Sequence, residues 1–443
     1  MKKTFIFVII SGCFVALLSC YSRGFDVLTI IYKVCGLILF ALSLIGGLIK
    51  DKDFFSPFTL FAATPFSILV YDEYLSSSFL PMPSAESVAH IILGQACFLV
   101  GLTISKISMK RVRIQQSASI PLRKYSWVTL FIIGISPIVL ALVLQPFNIG
   151  MSAEAIEEYR TNFSLPVIST LSCLTTGAIL YVARTKKIKI FLVLLVITML
   201  SGIFTLGKGS AVILFLTVLY ATIYYWDNKY RIKIIICSFL TMLALFQLYG
   251  VIRQGSLDSK TYISSYEYYT ANNDIKYVTK PLQPLYSMYM YLTTPLSNFS
   301  YIVENDFEST NGLLTMWPLL STFQLKRVFG VTPEVKPIRK WPYNTHSFLA
   351  DFYLDFGTVG VLILPCLLGF IVYVVYARSL HYNDVLLHAE YLYFGFATLM
   401  MFFSNHFTSI GYPVRIFLIF ESFRFLSRLS FRTLSPLPRT KWV

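Results

Sequence analysis

Pro342-Tyr343-Asn344-Thr345-His346-Ser347-Phe348-Leu349-Ala350-Asp351-Phe352-Tyr353-Leu354-Asp355-Phe356-Gly357-Thr358-Val359-Gly360 closes the one long polar segment of a chain that is otherwise a succession of apolar runs. The run that follows, from Gly357 to Tyr376, is about as long as a bilayer crossing requires. A polar segment meeting a membrane span is therefore the feature from which the chain is read. The spacing predicts a helix beginning near Asn344, with Phe348, Leu349, Phe352 and Phe356 on one apolar stripe. His346, Ala350, Tyr353 and Gly357 then share a neighbouring face at i, i+4, i+7 and i+11, and Asp351 and Asp355 point the other way. A histidine in the first turn, at the polar boundary of the bilayer, has a reference pKa of about 6.5 and is suited to take a proton at neutral pH. His346 is thus the candidate general base. The alternative is a helix cap with an incidental interfacial histidine.

The 443 residues are 56% hydrophobic and only 13% charged, with a mean hydropathy of +0.66, which excludes an ordinary soluble globular protein. The net charge of +15 would suit nucleic acid. Its basic residues instead fall in short clusters between apolar runs, the pattern that orients membrane helices, so no nucleic-acid partner is expected. All seven cysteines lie inside apolar runs without CxxC spacing, which supports neither a disulfide framework nor a zinc site. Met1-Lys2-Lys3 and the apolar run ending Leu17-Leu18-Ser19-Cys20 have the look of a lipoprotein signal. A second span follows within a few residues, however, and in either case the chain enters it from outside.

Twelve runs are long enough to cross: 4–20, 27–49, 54–71, 87–105, 126–145, 164–183, 188–206, 211–226, 232–250, 357–376, 385–408 and 410–427. With the N-terminus in the cytoplasm, twenty-three basic residues fall on the inner side. The short outer loops hold only Arg23, Arg160, Lys208 and Arg415. The expected fold is all-α and polytopic, with a nine-helix part over 1–250, a large outer loop with short helices over 251–356, and a three-helix part with a basic tail over 357–443. Both termini are expected in the cytoplasm. Within the loop, the Tyr- and Met-rich stretch Leu285–Pro295 reads as a helix at the outer membrane–water boundary or as an aromatic surface for sugar rings.

Charges at outer membrane depth are costly unless they pair or bind something. Arg160, Lys208, Arg253 and Arg415 stand there, and a lipid pyrophosphate would satisfy them jointly. Each has a structural alternative: pairing with Glu157, snorkelling, following a helix end, or reaching the headgroups. Lys33 reads as a snorkelling residue, and His90 as a local pair with Glu86 one turn before it. His406 also reads as structural. Glu390 and Glu421 face the inner half without an evident role. Gly207-Lys208-Gly209-Ser210 lacks the first glycine of a phosphate-binding loop and reads as a tight turn. No Asp-x-Asp or His-x-x-x-His pair occurs in an outer loop, so neither a metal nor another cofactor is expected.

This architecture is similar to that of the bacterial O-antigen polymerases (Wzy-type oligosaccharide repeat-unit polymerases) and, more distantly, the related O-antigen ligases. Asn344-Thr345-His346 through Asp355-Phe356-Gly357-x-x-Gly360 resembles the family's segment leading from the large loop into the next span. Leu206-Gly207-Lys208-Gly209-Ser210 resembles a short turn that usually carries Arg, and Arg253 resembles an arginine found early in the loop. The Lys at 208 forgoes bidentate phosphate pairing. The resemblance implies a metal-independent glycosyltransferase of the bacterial inner membrane. It would move a growing glycan en bloc from undecaprenyl pyrophosphate onto the next lipid-linked repeat unit. Lys208, Arg160, Arg253 and Arg415 would hold the pyrophosphate, His346 would deprotonate the acceptor hydroxyl, and Asn344, Thr345 and Tyr353 would bind the sugar. The bilayer, a chain-length regulator and a flippase are the expected partners. Ligation of the glycan and flipping of the lipid-linked oligosaccharide are the alternatives.

Overall fold

The computed structural model describes residues 27–71, 83–111, 126–144, 170–205, 208–226, 233–242, 283–305, 307–323, 345–382, 384–408 and 412–432, with single positions at 244, 325 and 330. All regular structure among them is helical. In chain order the helices are α1 (Val27–Leu44, extended by a π turn Ile45–Asp51), α2 (Pro57–Phe61), α3 (Ala63–Val70), α4 (Ala85–Arg111), α5 (Trp127–Leu144), α6 (Cys173–Arg184), α7 (Ile188–Thr205), α8 (Lys208–Tyr224) and α9 (Lys233–Met242). They continue with α10 (Gln283–Glu304), α11 (Leu313–Thr322), α12 (Leu349–Tyr382), α13 (Val385–Leu399) and α14 (Tyr412–Arg432). Among the described residues four segments, Val27–Asp51, Ala85–Met109, Leu349–Tyr382 and Val385–Phe402, are long and apolar enough to cross a membrane.

Two compact units divide the chain. The first gathers Met1–Ile114, Ile263–Ala377 and Phe394–Tyr412, and the second gathers Gln115–Tyr262, Arg378–Tyr393 and Pro413–Val443. In the first unit α4 and the span of α12 lie almost backbone to backbone. A Cβ on Gly101 would fall 1.9 Å from the carbonyl oxygen of Cys366, and one on Gly369 would fall 2.3 Å from that of Phe98. Small residues at such crossings let apolar helices gain dispersion contacts where lipid offers no hydrophobic drive. In the second unit α5 packs on α6, and a Cβ on Gly134 of α5 would fall 2.7 Å from the backbone nitrogen of Thr175.

The expected run 54–71 is two short helices, α2 and α3, separated at Ala62. The eight residues of α3 reach only about 12 Å, far less than a bilayer core. The last carbonyls of α3 end inside the unit and need donors there. Lys33 supplies them. Its ammonium donates to the carbonyls of Ile68 (2.9 Å), Leu69 (2.8 Å) and Tyr71. At 2% exposure it is no snorkelling residue. A cation at a helix C-terminus is also favoured by the dipole, so three hydrogen bonds and one charge act on the same end.

Candidate functional site

The helix that was to carry His346 starts later than the periodicity predicts. Thr345, His346 and Ser347 have no helical structure, and α12 begins at Leu349. The preceding segment is held by its backbone. The Asn298 amide donates to the Thr345 carbonyl (2.8 Å), and Ser347 N–H donates to the Pro295 carbonyl (3.3 Å). Phe348 N–H donates to the Met401 carbonyl (3.1 Å), and the Asn405 amide donates back to the Phe348 carbonyl (3.1 Å). Residues 345–348 are therefore clamped between α10 and the turn that follows α13, with His346 and Ser347 both buried. The Ser347 and Phe348 N–H groups, which lack an intrahelical partner at a helix start, are satisfied by these tertiary bonds.

Since His346 precedes α12, it does not share a helical face with Tyr353. His90 of α4 lies beside Tyr353, its ring meeting the tyrosine edge to face at 5.2 Å and 72°. Phe299 of α10 lies on the tyrosine too, at 5.9 Å. His90 does not bond the Glu86 carboxylate as expected. Its Nδ1 lies 3.0 Å from the Glu86 backbone carbonyl, and its Nε2 lies 2.9 Å from the Thr358 hydroxyl. A carbonyl can only accept, so Nδ1 carries the proton; in the neutral ring, Nε2 then accepts from Thr358. A base oriented in this way, against a hydroxyl from 268 residues away, leaves no local trace in the sequence. The one available signal was the position of His90 near the end of its span.

The two aspartates have structural partners. Asp351 is buried and accepts from the Thr408 hydroxyl, tying α12 to the turn at 404–408. Asp355 is the N-cap of a helix it does not belong to. Helix α11 starts from Gly312 at φ +86° with no local side-chain cap. Its free N–H groups at Leu314 (3.1 Å) and Thr315 (2.6 Å) donate instead to the Asp355 carboxylate, as does the Thr310 hydroxyl (2.5 Å). A carboxylate against a helix N-terminus satisfies orphan donors and the dipole together. The backbone joins in: Thr310 N–H donates to the Leu354 carbonyl (2.9 Å), and the Ser309 hydroxyl to that of Asp355 (2.7 Å).

Two residues on, Gly357 breaks α12 at φ +58°, ψ −143°, a region that side chains avoid. The Asp355-Phe356-Gly357 stretch is thus a junction in which a cap, a ring and a break follow one another. Phe348, Leu349 and Phe352 are buried as the apolar stripe requires, but Phe356 is 46% exposed. Tyr289 and Leu292 of the Tyr- and Met-rich stretch are half-buried, and the stretch runs on into the buried second half of α10. The part of α10 over 293–300 is buried throughout rather than lying on a surface. Its Ser300 accepts from Ser84 N–H (3.3 Å) and donates to Ser87 (3.1 Å) at the start of α4.

Of the expected pyrophosphate ligands, Arg160 and Arg253 lie outside the described residues, as does Asn344. Lys208 opens α8, so the expected turn at 207–210 is already helical from its second residue. Arg415 is buried one turn into α14, in the second unit, and does not reach out as a headgroup contact would. Glu421, which had no evident role, accepts from Arg378 (2.6 Å) and Arg424 (2.7 Å), and Arg424 also pairs with Asp384 (3.2 Å). Among the described residues no three His, Cys, Asp or Glu side chains gather as a metal would need.

These features define an all-helical protein with several helices of membrane-spanning length. No family model, curated protein or solved structure matches the chain.

Proposed function

We propose that the chain is a polytopic glycan polymerase of the bacterial inner membrane, with its large polar segment outside. It extends an undecaprenyl-pyrophosphate-linked glycan by transfer onto the next lipid-linked repeat unit. The observation that supports this reading best is the junction at the start of α12. Three stretches that the sequence separates, 295–300, 345–358 and 400–408, meet there as a buried polar knot at the end of a long apolar helix. A lipid-linked donor brings its pyrophosphate and sugars to that level of the membrane. The pyrophosphate is a good leaving group, so transfer needs a base for the acceptor hydroxyl and cations for the departing charge. His346 is the proposed base and Lys208, Arg160 and Arg253 the proposed cations, with Arg415 buried as a fourth.

The test is the polysaccharide made by a strain lacking the chain. A polymerase defect leaves surface glycan one repeat unit long. A ligase defect leaves long polymer on its lipid carrier, and a flippase defect leaves no repeat unit outside. Complementation with His346→Gln, which can donate a hydrogen bond but cannot serve as the proposed base, should leave single units despite normal protein levels. Long chains from that variant would remove His346 from the chemistry.

A further inference from the structure

Helix α11 buries Leu314, Pro318 and Ser321 and turns the opposite face outward: Met316 is 48%, Leu319 38% and Phe323 57% exposed. These three recur at i, i+3 and i+7, one stripe of a helix, and its ten residues carry no charge. At about 15 Å the helix is too short to cross a bilayer. What covers the stripe is indicated by its neighbour. Beyond the break at Gly357 the exposed residues Val359, Ile363, Leu367 and Ile371 of α12 form a single stripe at spacings of four, on a helix long and apolar enough to span. Such a face is turned to lipid. Phe356, 46% exposed just before that break, lies over the start of α11, where a Cβ on Gly312 would fall 2.8 Å from the phenylalanine ring. Asp355 holds the first turn of α11 at the same point.

Exposed apolar side chains therefore run from Val359 at the start of the span, across Phe356, to the exposed stripe of α11. We propose that α11 is an interfacial helix. It lies in the boundary of the bilayer at the Phe356 end of α12, with Met316, Leu319 and Phe323 in the acyl region at a depth of about 5–10 Å. The partner is the lipid surface itself. The inference concerns placement and stands independently of the polymerase reading.

Single spin labels test it in the full-length protein, cysteine-free elsewhere, reconstituted into phosphatidylethanolamine–phosphatidylglycerol vesicles. Met316→Cys, Leu319→Cys and Phe323→Cys should each collide more with oxygen, which concentrates in acyl chains, than with a water-soluble nickel chelate. Asn311→Cys and Glu308→Cys, exposed polar positions before the helix, should show the reverse. The proposal requires all three labels to behave alike. Chelate access like that of Asn311 at any of them would mean that α11 stands in water. Low collision with both reagents would mean that the stripe is covered by protein, from this chain or another. Either result overturns the proposal.

Discussion

Two regions of the molecule use their charges differently. Around the start of α12 and the end of α3, in the first unit, charged side chains are bonded to helix ends: Lys33 to the C-terminus of α3, Asp355 to the N-terminus of α11. In the second unit, Arg378, Glu421, Arg424 and Asp384 are bonded to one another. The distinction has an energetic consequence. A charge paired with a charge can be removed together with its partner, and neutral pairs of similar shape are often tolerated. A charge bonded to backbone has a partner that no mutation deletes, so its loss leaves orphaned carbonyls or N–H groups. The first arrangement makes broken helices possible inside an apolar unit, and the second fastens helices that are already whole.

The largest effect is expected at Lys33. Lys33→Met keeps the side-chain length and strips three carbonyls of their donor. At about 1–3 kcal/mol per buried unsatisfied group, a loss of about 3 kcal/mol or more should appear as a lower melting temperature in detergent. Stability equal to that of the parent would break the comparison at its strongest point. Next comes Asp355→Ala, which removes a charged cap and should cost about 2 kcal/mol. Limited proteolysis would locate that loss, with new cuts expected between 305 and 323. Asp355→Asn, which keeps one acceptor oxygen, should lie between Ala and the parent.

Gly357→Ala isolates the break from the cap. No atom lies within 4 Å of the added methyl group, so any loss is dihedral strain, about 1–3 kcal/mol. Thermal unfolding of this variant alone and with Asp355→Ala would show whether the two features act as one. The smallest effect is expected in the second unit. Glu421→Gln leaves two guanidinium groups facing each other and should cost about 1 kcal/mol, since Glu421 and Arg378 are both partly exposed. Adding Arg378→Gln should recover part of that loss in a double-mutant cycle. No recovery would mean that this network, too, is held by something other than mutual pairing.

The sequence by itself determined the class. Composition and the recurrence of apolar runs require a membrane-bound helical chain, because backbone polar groups in lipid must be satisfied within each segment. The glycine at 357, placed by periodicity on a continuous helical face, is instead where α12 breaks. The destination of each charge was decided only by tertiary structure. Hydropathy registers how long and how apolar a run is, so 54–71 reads as one span although it is two helices. The partner of its last carbonyls lies elsewhere in the chain, in the lysine at position 33 that donates to them. Likewise Asp355 serves a helix some 40 residues earlier and His90 a threonine 268 residues later. Glu421 and Arg424 are neighbours in sequence, but the partners of Lys33 and Asp355 are not. Only the packed fold brings the helix end, the hydroxyl or the opposite charge within bonding distance.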